Sequence, residues 1–340
     1  MPVTRKAVAR RAAVSEATVS YVVNNGPRPV APETRARVLQ AIEELGYHPS
    51  DVARSLRKQR TSTIGLIVPD TANPFYGEIA RIIENVGYAN GYTVILCNSN
   101  LDAEREASYV NLLRTRRVEG AVIIPTTAES VAALRAAEIC TIVLEYEIEG
   151  AYCLVADDYE GGRLVTRYLL DLGHRRIACI TRAGDKTSSQ KRVEGYRDVL
   201  RAAGVALETD LILETEPEIA AGEAAAFRLL EHAEPPTAIF AHNDTMAIGV
   251  MSALRKRGLR VPEDVSVVGF DDIVQAAYVN PSLTTVAHPK QRMGEQAAYL
   301  LIDLLRGQHV PLPYTAVLDV SLIERESSGP PPAAARHRKA

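Results

Sequence analysis

From Ile64 onward, short apolar runs alternate with amphipathic stretches of a dozen residues or so, and this alternation constrains the fold more than any other feature of the chain. Strand candidates fall at 64–68, 93–97, 120–124, 141–144, 176–180, 238–241 and 265–270, with helical periodicity over 76–90, 104–117 and 190–203 among them. Near-continuous apolar strands separated by helices are the pattern of β-α-β units, whose parallel sheet is covered on both faces. Seven such strands predict two doubly wound parallel sheets side by side, with a ligand cleft between them.

The first 49 residues follow a different period. Thr4 is placed to cap a helix over 5–12 with Val8 facing inward, and Ser15 to cap a second over 16–24, where Val19, Val22 and Val23 recur at i, i+3 and i+4. The link Ala12-Ala13-Val14 is as tight as a helix-turn-helix requires. Pro32 opens a third helix through Val38, Leu39, Ile42 and Leu45, and Gly46 stops it; Ala31 stands where a Ser or Thr cap would help. The expected core is small: Val8, Val19, Val23, Val38 and Ile42. A hinge and linker over 50–61 follows, in which Ser50, Asp51 and Arg57 suit the two ends of a helix too short to persist alone. Residues 329–340, rich in Pro and Ala with no apolar periodicity, read as a disordered tail.

Charge separates the same regions. The whole chain has a net charge of −3, yet residues 1–60 hold eleven Lys/Arg against five acids, a balance of +6 that leaves −9 for the rest. A basic arm on an acidic body points to a polyanion as the arm's partner, although a solvated basic face would show the same excess. No apolar run approaches the roughly 18 residues of a membrane span. The charged start, Met1 to Arg11, lacks the apolar block of a secretory signal, so a cytoplasmic protein is expected. The four cysteines form no C-x-x-C pair and read as buried thiols, and the seven histidines show no metal-ligand spacing, so no metal and no cofactor is expected. Catalysis also lacks its motifs: there is no G-x-G-x-x-G, P-loop or G-x-S-x-G. The doublet Asp157-Asp158 is read as an extended pair pointing to opposite sides, unsuited to acid–base work.

Several motifs resemble the LacI/GalR family of transcription regulators. Val14-Ser15-x-x-Thr18-Val19-Ser20-x-Val22-Val23-Asn24 is similar to that family's recognition helix, and Ala41-Ile42-Glu43-Glu44-Leu45-Gly46-Tyr47-x-Pro49 to its third helix and hinge entry. The similarity continues through Asn73-Pro74-Phe75, Leu172-Gly173-His174-Arg175-Arg176, Asn243-Asp244-x-Met246 and Gly269-Phe270-Asp271-Asp272, covering residues 3–328. It implies an all-α helix-turn-helix headpiece (1–49) and an α/β periplasmic-binding-protein-like core of two doubly wound parallel-sheet lobes (62–328). One lobe would take 62–159 with 288–317, the other 160–287 with 318–328. The implied function is a repressor that binds double-stranded operator DNA as a homodimer and responds to a sugar-like small-molecule effector. A plain solute-binding protein is the alternative, since the core alone resembles sugar receptors.

The resemblance also implies roles for residues. Glu16, Ala17 and Tyr21 would read bases from the major groove, and Leu56 would wedge into a minor-groove step. Glu16 equally suits the positive start of a helix. Many family members carry Arg where this chain has Tyr21, which alters what the position can read. Thr4, Ser15, Thr18, Ser20, Asn24 and Thr34 are short donors placed for phosphates, and each is also what a cap or a solvated side chain looks like. In the core, Phe75, Arg192, Asn243 and Asp271 would touch effector, with Glu145 where sugar-binding relatives often carry Asp. Arg192 with Asp271 would hold hydroxyls by charge-assisted bonds; an ion pair between the lobes is the competing account of those two.

Overall fold

The computed structural model describes residues 3–24, 28–47, 61–184 and 187–332. The expected hinge helix, Leu56 within it, and the tail from 333 lie outside the described residues. The chain divides into two units, Met1–Ser62 and Thr63–Ala340.

The first unit holds α1 (Arg5–Ala12), α2 (Glu16–Asn24) and α3 (Pro32–Leu45). Thr4 caps α1 through its hydroxyl, which accepts from the Ala7 amide at 3.3 Å, and Ser15 does the same for α2 from the Thr18 amide at 3.1 Å. Between them Ala13 adopts a left-handed turn at φ 53°, which sets the sharp angle of the two helices. Ala31 makes no side-chain cap, and α3 relies on Pro32 at its start and on Gly46, at φ 60°, for its end. Val8, Val19, Val22, Val38 and three alanines, Ala9, Ala12 and Ala41, are buried; Val23 and Ile42, expected at the centre, pack half-buried around them.

The second unit contains two six-stranded sheets. The first is built from β1 (Thr63–Val68), β2 (Thr93–Asn98), β3 (Gly120–Ile123), β4 (Cys140–Leu144), β5 (Tyr152–Ala156) and, from much later in the chain, β11 (Tyr314–Leu318). Its order is β11-β5-β4-β3-β1-β2, parallel throughout. The second uses β6 (Ile177–Arg182), β7 (Ile212–Thr215), β8 (Ala238–Ala241), β9 (Ser266–Asp271), β10 (Thr284–Ala287) and β12 (Ser321–Ile323), in the order β12-β10-β9-β8-β6-β7. Only β12 runs antiparallel. β5, β7, β10, β11 and β12 were not among the strand candidates; β7 and β12 are edge strands without fully buried runs, and a short edge strand lacks the apolar run that betrays a central one.

The chain passes between lobes three times: from β5 into helix Asp158–Asp171, from β10 into helix Lys290–Leu305, and from β11 into β12. Both sheets reverse direction of winding beside their first strand, between β1 and β3 and between β6 and β8. Open α/β sheets collect ligands outside the carboxyl ends of their strands at such a reversal. Past β12 the expected tail does not begin loose at 329: the Gly329 carbonyl lies 2.8 Å from His174 Nε2 and 3.0 Å from the Ser266 hydroxyl, both buried, so Gly329 is bound to the second lobe.

Candidate nucleic-acid interface and ligand cleft

On α2, Val19 and Val22 point into the unit, and successive residues rotate by about 100°. Glu16, Ala17, Ser20 and Tyr21 therefore share the opposite arc, with Glu16 and Ala17 exposed and Ser20 and Tyr21 half-buried. Glu16 of this arc is already engaged, its Oε2 lying 3.3 Å from Arg5 Nε, and the neighbouring Ser15 and Thr18 hydroxyls are 2.9 Å apart. Thr4 and Ser15 serve as caps, Thr34 is half-buried on the first turn of α3, and the Asn24 side chain lies outside the described residues. A rigid helix offering a polar arc from a basic unit is the geometry that enters a major groove.

Between the lobes lies a cleft of about 430 Å³, its mouth included. The first lobe supplies Phe75 and Tyr76 after β1, Ile124 after β3, and Glu145 with Tyr146 after β4; the second supplies Arg182 from the end of β6, Arg192, then His242, Asn243 and Asp271. Thus the five sequence-derived residues of the core do converge, and every flanking strand contributes by its carboxyl end. Asn73 holds Phe75 in place by capping helix Pro74–Ala89 through the Phe75 amide at 3.0 Å. The Phe75 ring meets Tyr76 and His288 edge-on, with centroids 5.1 and 4.7 Å away. Asn243 commits its Oδ1 to the Met246 amide at 2.8 Å, which leaves its amide nitrogen as the group it can offer a ligand. Glu145 is buried at φ 66°, and its Oε1 sits 3.1 Å from His288 Nε2, close by distance but without hydrogen-bond alignment.

Arg192 and Asp271 do not form the interlobe pair considered from the sequence; both belong to the second lobe. Arg192 Nε donates to Asp158 Oδ1 at 2.7 Å and its Nη1 to the His242 carbonyl at 2.6 Å, while its guanidinium stacks 3.5 Å from the centroid of Phe270. It is a pinned cation. Asp157 caps the helix that Asp158 begins, by accepting from the Glu160 amide at 2.9 Å, so the doublet splits between a cap and a buried counterion on a helix start, not on an extended segment. Burial raises Asp158 above the usual carboxylate range, and Arg192 pulls it back. Burial likewise pushes Asp271 up to about 6, against Arg192, His288 and Lys290. Asp244, fully buried, lies well above the ordinary value through burial and the neighbouring Asp271; its two oxygens accept from Thr285 Oγ1 at 2.5 Å and the Ile273 amide at 2.8 Å.

Tyr76, Tyr146, Arg182, His242 and His288 were not singled out from the sequence, and Asp158 only as half of a doublet read as unsuited to acid–base work. The first four follow or end strands as Phe75 and Asn243 do, so a uniform application of the carboxyl-end rule would have found them. Asp158 had only the doublet as a signal, and His288 none. The cysteines are free, and burial pushes Cys97 and Cys140 up to about 11, so they stay protonated and inert at neutral pH. Among the described residues no helix is long and apolar enough to cross a membrane.

A helix-turn-helix unit joined to a two-lobed parallel-sheet core with a cleft at its strand ends defines a DNA-binding regulator that senses a small molecule. Residues 4–50 match the model of bacterial regulatory proteins of the lacI family, and residues 166–328 a periplasmic binding protein-like domain. The chain is 39% identical over 310 residues to the HTH-type transcriptional repressor PurR of Vibrio atlanticus strain LGP32, covering 90% of this chain and 92% of that one. It superposes on the Lac repressor dimer bound to operator and the anti-inducer ONPF with a TM-score of 0.84, at 28% identity and coverage of 97% and 100%. For the transcriptional regulator CelR in complex with cellobiose the TM-score is 0.73, at 31% identity and coverage of 96% and 100%. The chain belongs to the lacI family of bacterial regulatory proteins: it is a DNA-binding transcription regulator and not an enzyme.

Proposed function

We propose that the protein is a cytoplasmic repressor that binds a near-palindromic operator as a homodimer and is switched by a sugar-like effector held between the lobes. What carries this reading is the coexistence, in one chain, of the polar arc of α2 and a cleft that faces aromatic groups with buried hydrogen-bonding ones. Glu16, Ala17 and Tyr21 meet bases; Thr4, Ser15, Thr18, Ser20, Asn24 and Thr34 meet phosphates; Leu56, outside the described residues, enters the minor groove. In the cleft Phe75 gives an apolar face, while Asp271, Glu145 and the Asn243 amide address hydroxyls. Arg192 contributes through its fixed position beside Asp271. Cellobiose in CelR and ONPF in the Lac repressor support the effector class. The match at 4–50 goes against a plain solute-binding protein.

Selection of genomic DNA fragments on the purified protein tests the whole reading. Full-length protein should retain discrete fragments at physiological salt, and a chain starting at Thr61 should fold but lose that retention by a factor of about 10³ or more. Equal retention by the shortened chain would overturn the assignment of DNA binding to the first unit.

A further inference from the structure

Lys290 breaks two local rules. It is the first residue of helix Lys290–Leu305, where the positive end of the helix dipole disfavours a cation, and it is buried. Its ammonium has two partners on opposite sides of the cleft. Nζ lies 3.0 Å from Glu78 Oε2, on helix Pro74–Ala89 of the first lobe, and donates at 2.6 Å to the Asp272 carbonyl of the second. Glu78 reaches across as well, its Oε1 accepting from the Val274 amide at 3.4 Å.

The segment they grip is strained. Asp271 has φ 109° and Asp272 φ 50°, a conformation that residues with a Cβ adopt rarely and hold only when the surroundings enforce it. Its own lobe enforces part of it: Asp244 takes the Ile273 amide, and Arg325 Nη2 donates to Asp272 Oδ1 at 2.6 Å. The rest comes from the first lobe through Lys290 and Glu78. Asp271, the cleft carboxylate, is the first residue of this turn. The groups facing it are Arg192, His288, Lys290 and Glu145, with Asp244 and Tyr76 close by, so a displaced Lys290 would also remove a cation from its surroundings.

We infer that Lys290 and Glu78 form an interlobe clasp that positions the Asp271–Asp272 turn, so that the separation of the lobes and the presentation of Asp271 to the cleft are one coupled event. This rests on the reading of the cleft as the effector site. A second interlobe ion pair, Lys191 to Glu147 at 2.6 Å, is exposed on both sides and joins segments other than the Asp271–Asp272 turn, which makes it the control.

The test uses full-length protein carrying Lys290→Met, Glu78→Gln, both together, Lys290→Arg, or Glu147→Gln, with two readouts. Amide hydrogen exchange without ligand should be at least tenfold faster at Ile273 and Val274 in Lys290→Met and Glu78→Gln, unchanged at Val267 and Phe270, and near normal in Lys290→Arg and Glu147→Gln. Affinity for a labelled genomic fragment selected as above should shift fivefold or more in the same direction for both variants, and the double variant should shift by clearly less than the two effects combined, because the Lys290–Glu78 contact is lost only once. Should Lys290→Met fail to fold, Glu78→Gln carries both readouts. Unchanged exchange at Ile273 and Val274 in Glu78→Gln, or additive effects of the two substitutions, would overturn the clasp. If no fragment binds even the unaltered protein, the regulator reading fails, while the exchange experiment still decides on the clasp.

Discussion

The two units of this protein put their polar chemistry in opposite places. Among the described residues of the first unit every buried side chain is a valine or alanine, and all charge lies on the surface. The second unit buries Phe240, Phe270 and Tyr196 but also Asp158, Arg192, Asp244, Asp271, His174 and Lys290. A module that reads a duplex from outside needs only a stiff helix with the right exposed arc. A cleft that must recognise a small polar molecule needs desolvated groups, and each desolvated charge requires a partner or a shifted pKa. The second unit can bear that cost because its apolar core is large; a core of seven small residues could not.

The sharpest way to break this contrast is to strand a buried charge. Arg192→Ala leaves Asp158 without its counterion, and such a loss costs about 3–5 kcal/mol. Urea unfolding of the core should show a deficit of that size, with the helical signal of the first unit unaffected. A change under about 1 kcal/mol would mean that water replaces the guanidinium and the site is not dry.

Asp271→Asn sharpens the comparison from the other side. Burial raises the Asp271 pKa from 3.8 to about 6, so the fold favours the protonated acid. Stability is therefore greatest below the unfolded value, falls as pH rises through about 6, and stays lower above it. The ionised group costs at most about 3 kcal/mol at pH 7.5. Asn, which tolerates the left-handed backbone, should recover up to that amount at pH 7.5, and progressively less as the pH is lowered to 5, while weakening effector binding. Equal stability of the two proteins at both pH values would show that Asp271 is not a desolvated charge.

In the first unit the effects should be smaller and confined to the surface. Tyr21→Arg should move base preference toward guanine at one pair in each half-site, by about 1–3 kcal/mol of discrimination, with stability unchanged. Identical selected sequences for both proteins would remove Tyr21 from the reading face. Smallest of all, Ser15→Ala should cost the first unit about 1 kcal/mol through the lost cap and leave the unfolding of the core where it was. A matching loss in the core would mean that the units do not unfold independently.

How legible each region was in the sequence follows from the same contrast. The three helices of the first unit were legible because caps, turns and apolar periodicity act within a few residues, and the exposed arc of α2 follows from the helical repeat once Val19 and Val22 are placed inside. The central strands of the core were legible for a similar reason: a strand buried on both faces must be apolar along its length. The strand-end position of Phe75, Glu145, Asn243 and Asp271 came with them. Tertiary structure alone decided which charges meet. Arg192 finds Asp158 34 positions away, not Asp271; Lys290 finds Glu78 on another helix and a carbonyl in the other lobe; His174 takes the carbonyl of Gly329. A side chain's periodicity states which way it faces, but a buried charge is satisfied by whatever partner the packing of distant elements brings within about 3 Å, and no local pattern encodes that distance.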